Sequence, residues 1–561
     1  MDNLPQFSAL QNARMVYRPK LPPALRQPNV RIEQGEPALP YTDQAKLREL
    51  FPRTFGQPVV TLAAGKSGLS TAPLKVGVVL SGGPAPGGHN VIAGLFDVLK
   101  AANKDSTLIG FLKGPKGIID NKFRELTADF IAPHRNTGGF NMLMSGRDKI
   151  EKPADLAGCE ETVKGLDGLV IVGGDDSNTN AAVLAEHLMA KRLKTRVIGV
   201  PKTIDGDMKN REIETSFGFD SACKTYAELI GNICRDAQSS VKYWHFIRLM
   251  GRAASHITLE CALQTHPNVA LISEEVQAQE LTLSAIVDRL VDTILKRDHA
   301  GKKYGIALVP EGLPEFIPEI RGLIHELGRI LGEDEHAGML HLASLHSHEE
   351  RVHYLSKRLT DHSARVYGQL PTAIQEVLLK PDSHGNIPLS QVETERLLID
   401  LVSEKIGDLH PDKKISDLFN PLSHFLGYEG RCGAPSNFDA DYGYTLGCTA
   451  GQLIRAGLTS YTAHVRNLAQ PAEQWIAGGT PITALMNLEM RGGRAKPVVR
   501  KSLVDLHGRP FKTFAAQRDT WAREDAYAFP GPVQYYGSPE VCDATTLTLQ
   551  LEWDSAHPRG K

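Results

Sequence analysis

The sequence predicts an α/β protein: two doubly wound, Rossmann-like domains with an active-site cleft between them, an inserted helical domain and an N-terminal extension. Three observations support this. Short apolar, β-branched runs alternate with helical spacing from Leu74 to Gly312, as in parallel sheets covered on both faces. Those runs break into loops rich in glycine and aspartate, at the carboxyl strand ends where open α/β sheets bind ligands. From about Ile317 to Leu418 strands give way to heptad-like apolar spacing (Ile320, Leu323, Ile324, Leu327, Ile330, Leu331) and a later helix over 392–406.

At 561 residues the chain is too long for one core. Its formal net charge of −2 gives no electrostatic case for nucleic acid or an anionic membrane as partner. No apolar run approaches the ~20 residues that span a bilayer. The opening Met-Asp-Asn-Leu-Pro-Gln-Phe lacks the basic-then-apolar pattern of a secretory signal. Seven cysteines form no CxxC pair and are odd in number, which suits free thiols and a cytoplasmic location.

Taken in order, residues 1–72 are punctuated by prolines and read as an arm that wraps a globular body or serves an oligomer contact. Gly65-Lys66-Ser67 suggests a P-loop, but Val60 stands where that motif requires its first glycine. The first strand, 74–80, runs into Ser81-Gly82-Gly83-Pro-Ala-Pro-Gly-Gly-His-Asn90 and a helix over 91–100. That loop reads either as an anion site at a helix N-terminus or as a tight turn needing glycine for geometry alone. A second βα unit begins at Thr107. Arg147, at the end of a glycine-flanked loop, suits a phosphate or a surface ion pair.

The centre of the chain is one βαβ unit. Strand 166–172 leads into Gly173-Gly-Asp-Asp-Ser177, helix 178–194 follows, and strand 196–200 leads into Pro201-Lys-Thr-Ile-Asp-Gly-Asp207. Asp175, Asp176, Asp205, Asp207, Lys202 and Thr203 then converge on one crevice. No core needs that arrangement, whereas phosphate chemistry with a divalent cation does. Further on, strand 244–250 enters Gly251-Arg252, strand 269–273 follows, and strand 304–309 ends in Pro310-Glu311-Gly312. Histidines 336, 341, 346, 348 and 353 look like a metal cluster, but no two sit four apart, so they read as solvated helix surface. The α/β pattern returns at Phe425 with Tyr428-Glu-Gly-Arg431 and a helix over 444–456. Beyond about 475 a few strands, with one over 497–504, and an aromatic, proline-broken tail close the chain.

With these residues in place, the chain resembles the phosphofructokinase family over most of its length. Five motifs fall in the family's order: the glycine loop at 82–87, Gly173–Ser177, Pro201–Asp207, Met250-Gly251-Arg252 and Tyr428–Arg431. The Gly-Gly-Asp-Asp and Pro-Lys-Thr-Ile-Asp forms, the N-terminal arm and the helical insertion resemble the long pyrophosphate-dependent subclass. The resemblance implies reversible transfer of a phosphoryl group from pyrophosphate to O1 of fructose 6-phosphate, giving fructose 1,6-bisphosphate and phosphate, with Mg²⁺. It makes Asp205 the base and Asp175 the metal ligand, with Asp207 holding the metal or orienting the base and Thr203 beside them. Gly82, Gly83, Arg147, Asp176 and Lys202 fall on the donor side. Met250, Gly251, Arg252, Glu311, Tyr428 and Arg431 fall on the sugar-phosphate side. Lys242 and Tyr243 match a position where a neighbouring subunit reaches into the site, implying a homodimer. Pro84 and Tyr428 depart from the ATP-using relatives, which carry Asp and His there.

The implied domains are an extension over 1–72, a donor-binding domain over 73–218 completed by about 432–475, and a fructose-phosphate-binding domain over 219–316 completed by about 419–431. A helical insertion over 317–418 and a C-terminal segment over 476–561 make up the rest. The alternatives are an ATP-dependent phosphofructokinase, a non-catalytic regulatory subunit of the same fold, or another kinase with a Gly-Gly-Asp loop. The last lacks the Thr-Ile-Asp-x-Asp and Met-Gly-Arg partners.

Overall fold

The computed structural model describes residues 9–27, 29–65, 69, 71–332, 344–345, 347–379, 392–491, 494–531, 543 and 545–557. The chain forms two compact units, one of residues 1–225, 428–502 and 532–561, the other of residues 226–427 and 503–531.

The first unit is built on a nine-stranded sheet. Its middle is parallel: Tyr461–Arg466, Arg196–Pro201, Gly168–Gly173, Lys75–Leu80 and Thr107–Phe111, in that spatial order. Gly168–Gly173 is buried at every position, which is why its run is apolar throughout rather than alternating. Register places the functional loops. Gly173 pairs with Pro201 and Leu80 with Val172, so the loops after three neighbouring strands emerge side by side.

Antiparallel strands flank this core: Ile476–Pro481, Pro58–Ala64 and Val30–Pro37 on one side, Phe123–Glu125 on the other. The proline-rich N-terminal stretch thus donates two sheet strands rather than merely wrapping the body. Ile476–Pro481, one of the few strands expected beyond about 475, carries two consecutive glycines. A Cβ at Gly478 would lie 2.2 Å from the Val60 carbonyl oxygen, so glycine is what lets the neighbouring strand approach. Met486–Arg491 and Arg494–Val499 form a separate hairpin, which replaces the strand expected over 497–504. The Val499 N–H donates to Thr179 Oγ1 at 2.9 Å, fastening the hairpin to helix Asp175–Ala190.

The second unit holds a four-stranded parallel sheet in the order Pro421–Leu426, Tyr243–Leu249, Tyr304–Pro310, Val269–Ala270. The last is only two residues long, because helix Ser273–Ala278 starts where a longer strand was expected. The regular elements described within residues 317–418 are all helices, from Pro318–Gly332 to Ile415–Leu418. They do not keep a core of their own: Leu323, Leu327, Tyr367, Leu398 and Val402 join one cluster with Trp244, Phe246, Ala307 and Val309 of the sheet. Helix Arg509–Arg523, from the expected C-terminal segment, also belongs to this unit. Among the described residues no helix is long and apolar enough to cross a membrane.

Candidate active site

In the first unit the three loops set side by side by the sheet line one cavity of about 190 Å³. That is below the ~300–1,000 Å³ typical of drug-sized ligands, and suits a small anion. Ser81, Gly82, Gly83 and Pro84 come from the first loop, Gly174 to Ser177 from the second, and Lys202 to Asp205 with Asp207 from the third. Arg147, Arg431 and Lys501 complete the ring of charge.

Backbone and hydroxyl contacts hold the loops together. The Lys202 N–H donates to the Gly173 carbonyl at 3.0 Å, and the Gly82 N–H to that of Gly146 at 2.9 Å. Ser177 and Ser81 hydroxyls meet at 2.8 Å. The Asp205 N–H donates to Thr203 Oγ1 at 3.0 Å, which tightens the loop carrying the carboxylates. The Arg431 guanidinium lies against Gly83: a Cβ there would lie 1.8 Å from Arg431 Nη1, so a larger residue would push that side chain aside. Asp175 and Asp176 are not loop residues as expected. They form the first turn of helix Asp175–Ala190, where carboxylates face the positive end of the helix dipole.

Buried charges shape the chemistry. Burial lifts Asp205 above the usual carboxylate range, with Arg431, Lys202 and Lys501 pulling it back. Asp207 is pushed up to about 7, first by burial and then by the Asp205 and Asp175 carboxylates. Lys202 is lowered to about 8, first by burial and then by the Arg431 cation. A carboxylate with raised pKa is a better proton acceptor, and a lysine beside it remains charged at neutral pH. Three carboxylates that disfavour one another's charge form an acidic corner suited to a divalent cation. Among the described residues no set of three His, Cys, Asp or Glu side chains is arranged to hold a metal by protein groups alone. Mg²⁺ does not require one, since it usually takes one or two carboxylates with waters and phosphate oxygens.

In the second unit Met250, Gly251, Arg252 and Glu311 sit at the carboxyl ends of the paired strands Tyr243–Leu249 and Tyr304–Pro310. The Gly251 N–H donates to Glu311 Oε2 at 3.3 Å, and the Glu311 N–H to the Leu249 carbonyl at 2.9 Å. Arg252 Nε lies 3.5 Å from Glu315 Oε1 with its side chain largely exposed. Lys242 and Tyr243 stand at the opposite, amino end of the same strand. At ~3.3 Å per residue the two ends are roughly 20 Å apart.

Residues 75–377, more than half of the chain, match the phosphofructokinase family. The chain belongs to the phosphofructokinase family. It is 48% identical over 548 residues to a pyrophosphate–fructose 6-phosphate 1-phosphotransferase of Porphyromonas gingivalis, covering 97% of this chain and 99% of that one. It is 51% identical over 560 residues to one of Treponema pallidum strain Nichols, covering 97% of each. The crystal structure of a pyrophosphate-dependent phosphofructokinase from Marinobacter aquaeolei superposes with a TM-score of 0.51 at 14% identity, covering 83% of this chain and 95% of that one. That likeness speaks for the fold.

Within this phosphofructokinase, the first unit gathers Gly82, Gly83, Arg147, Asp175, Asp176, Lys202, Thr203, Asp205 and Asp207 as the motifs imply. Arg431, assigned to the sugar phosphate, also lines this cavity against Gly83, while its neighbour Tyr428 stands 74% exposed. Among the five histidines, His348 is engaged with Gln375 at 2.7 Å, and 336, 341 and 346 lie outside the described residues. Lys501 was missed. It lies in no motif, and only the hairpin before it carries it back to the loops.

Proposed function

We propose that this phosphofructokinase transfers a phosphoryl group reversibly from pyrophosphate to O1 of fructose 6-phosphate. The observation that carries the reading is that Asp176 and Lys202 line one cavity sized for a small anion. Asp205 takes the proton of the sugar O1 hydroxyl as that oxygen bonds to phosphorus. The bond to the bridging oxygen breaks, and its electron pair leaves with orthophosphate. Lys202 and Arg431 face the charge that spreads over the phosphoryl oxygens, where preorganised cations are worth most. Asp175, with Asp207 beside it, would hold Mg²⁺, which when bound shields the negative oxygens of the donor. A coupled assay with fructose 6-phosphate and either donor tests the reading: turnover with pyrophosphate is expected, and a preference for ATP overturns it.

Met250, Arg252 and Glu311 bind the sugar phosphate in this reading. Arg252→Ala should raise the KM for fructose 6-phosphate ~10- to 100-fold, the ~1.5–3 kcal/mol of a charge-assisted pair, and leave that for pyrophosphate in place. Arg431→Ala should raise both, since its guanidinium lies in the donor cavity. Equal effects of the two variants on both substrates would contradict this division.

Lys202 also sets a pH limit. Its cation is present below its pKa of about 8 and lost above it. In the free enzyme kcat/KM for pyrophosphate should fall about tenfold per pH unit on that alkaline side. Lys202→Arg should move the limb to higher pH; an unmoved limb would point to another group.

The proposed enzyme works as a homodimer, with Lys242 and Tyr243 serving the partner's site. Their distance along the strand from Arg252 supports service to a site other than their own sugar-phosphate pocket. Val241 and Tyr243 both adopt positive φ, 55° and 76°, and Val241 is exposed. Such strain in non-glycine residues is characteristic of functional segments. We place the enzyme in the cytoplasm, whose reducing conditions suit a chain with seven cysteines and no CxxC pair.

A further inference from the structure

We infer that Lys501 is a donor-binding residue, whose ammonium contacts the phosphate that leaves the donor. The inference rests on the donor-pocket reading above. Lys501 lines the cavity, with Nζ 3.5 Å from Asp175 Oδ2 and a side chain 32% exposed. Its backbone is fastened on both sides. Two residues before it, the Val499 N–H bonds Thr179 of helix Asp175–Ala190 at 2.9 Å; one residue after it, the Ser502 N–H donates to the Asp207 carbonyl at 2.6 Å. Tied on one side to helix Asp175–Ala190 and on the other to the Asp207 loop, the segment after the hairpin holds Lys501 in place at the cavity.

Charge balance gives the lysine a purpose. Asp148, Asp175, Asp176, Asp205 and Asp207 line the cavity opposite Arg147, Lys149, Lys202, Arg431 and Lys501, so carboxylates match cations one for one. A polyanionic donor entering such a site depends on every cation that can turn toward it. Asp175 is the carboxylate proposed for Mg²⁺, and once it is given to the metal the Lys501 ammonium is released to an anion. Lys202 is 6% exposed and lies within reach of the Asp205 loop, so it suits the phosphoryl group in transit. Lys501 is the more exposed of the two, so its ammonium has room to turn toward the phosphate that leaves. When the bridging bond breaks, the electron pair stays on that phosphate, and a lysine there stabilises the new charge.

The test is Lys501→Met beside Lys501→Arg and Lys202→Gly in the full-length protein. Lys501→Met should raise the KM for pyrophosphate, and that for phosphate in the reverse direction, ~10- to 100-fold. The KM for fructose 6-phosphate should stay within about twofold of wild type, since that sugar is held elsewhere. Calorimetric titration with inorganic phosphate or pyrophosphate, without sugar and so without turnover, should show the same loss of affinity. Lys501→Arg should restore most of it. Unchanged affinity for both anions in Lys501→Met overturns the inference while Lys202→Gly still abolishes activity with pyrophosphate. If Lys202→Gly also leaves donor use intact, the donor-pocket reading itself fails. Loss that Arg does not rescue, shared equally by sugar and donor, marks a structural lysine and likewise overturns the inference.

Discussion

Asp205→Ala should lower kcat by ~10²–10⁴, the usual contribution of a general base, with little change in the KM for fructose 6-phosphate. The expectation follows from position and environment together. Asp205 stands on the loop after strand Arg196–Pro201, its N–H pinned to Thr203, and burial raises its affinity for a proton. Asp207 is the nearest alternative; it too is pushed up to about 7, first by burial and then by the Asp205 and Asp175 carboxylates, but its side chain is less accessible to a substrate. Steady-state kinetics on Asp205→Ala and Asp207→Ala separate the two. A variant at Asp205 retaining more than about a third of wild-type turnover would remove the base from this residue, because even the low end of the expected effect is far larger.

The second large effect concerns donor choice. Asp176 occupies the first turn of helix Asp175–Ala190 and is exposed at the cavity wall. A nucleotide's α-phosphate would meet that carboxylate, and two like charges ~4 Å apart at an effective dielectric of ~20 repel by about 4 kcal/mol. Pyrophosphate ends before that point and escapes the penalty. In the proposed reading Lys202 would offset the added negative charge from the adjoining loop, so that the two residues would select by repelling the wrong donor as well as attracting the right one. Asp176→Gly should therefore gain kcat/KM with ATP and lose it with pyrophosphate. Lys202→Gly should abolish activity with pyrophosphate. An Asp176→Gly enzyme no better with ATP than its parent would refute the argument.

The parts of the site that were legible in the sequence share a cause. Strands buried on both faces must be apolar, so their ends are conspicuous, and loops such as Gly173–Ser177 and Pro201–Asp207 carry too many charges for a core. Parallel register then brings such loops together without further instruction. What escaped notice lacked that contrast. Val30–Pro37 pairs at an outer position of the sheet and is mostly solvated, so it shows no apolar run. Ile476–Pro481 falls where a few strands were expected but was not singled out, since its glycines trade side chains for close packing. Asp175 and Asp176 read as loop because aspartate is a poor interior helix residue, although it is well suited to a first turn. Lys501 reaches the site through the long-range packing of a hairpin, which local pattern does not report.

The sheet of the first unit also imposes a schedule on biosynthesis. Strand Arg196–Pro201 waits for Tyr461–Arg466 as its neighbour, and Pro58–Ala64 waits for Ile476–Pro481. At about 5–20 residues per second, the roughly 260 residues between the first pair take on the order of ten to fifty seconds to emerge from a ribosome. Through that interval the nascent chain already holds its Gly-Gly-Asp-Asp and Thr-Ile-Asp loops, but with an open strand edge and with neither Arg431 nor Lys501. A polypeptide halted in the helical region would expose that edge to other chains, as unpaired strands do. Premature termination would therefore yield aggregation-prone fragments in place of weakly active enzyme.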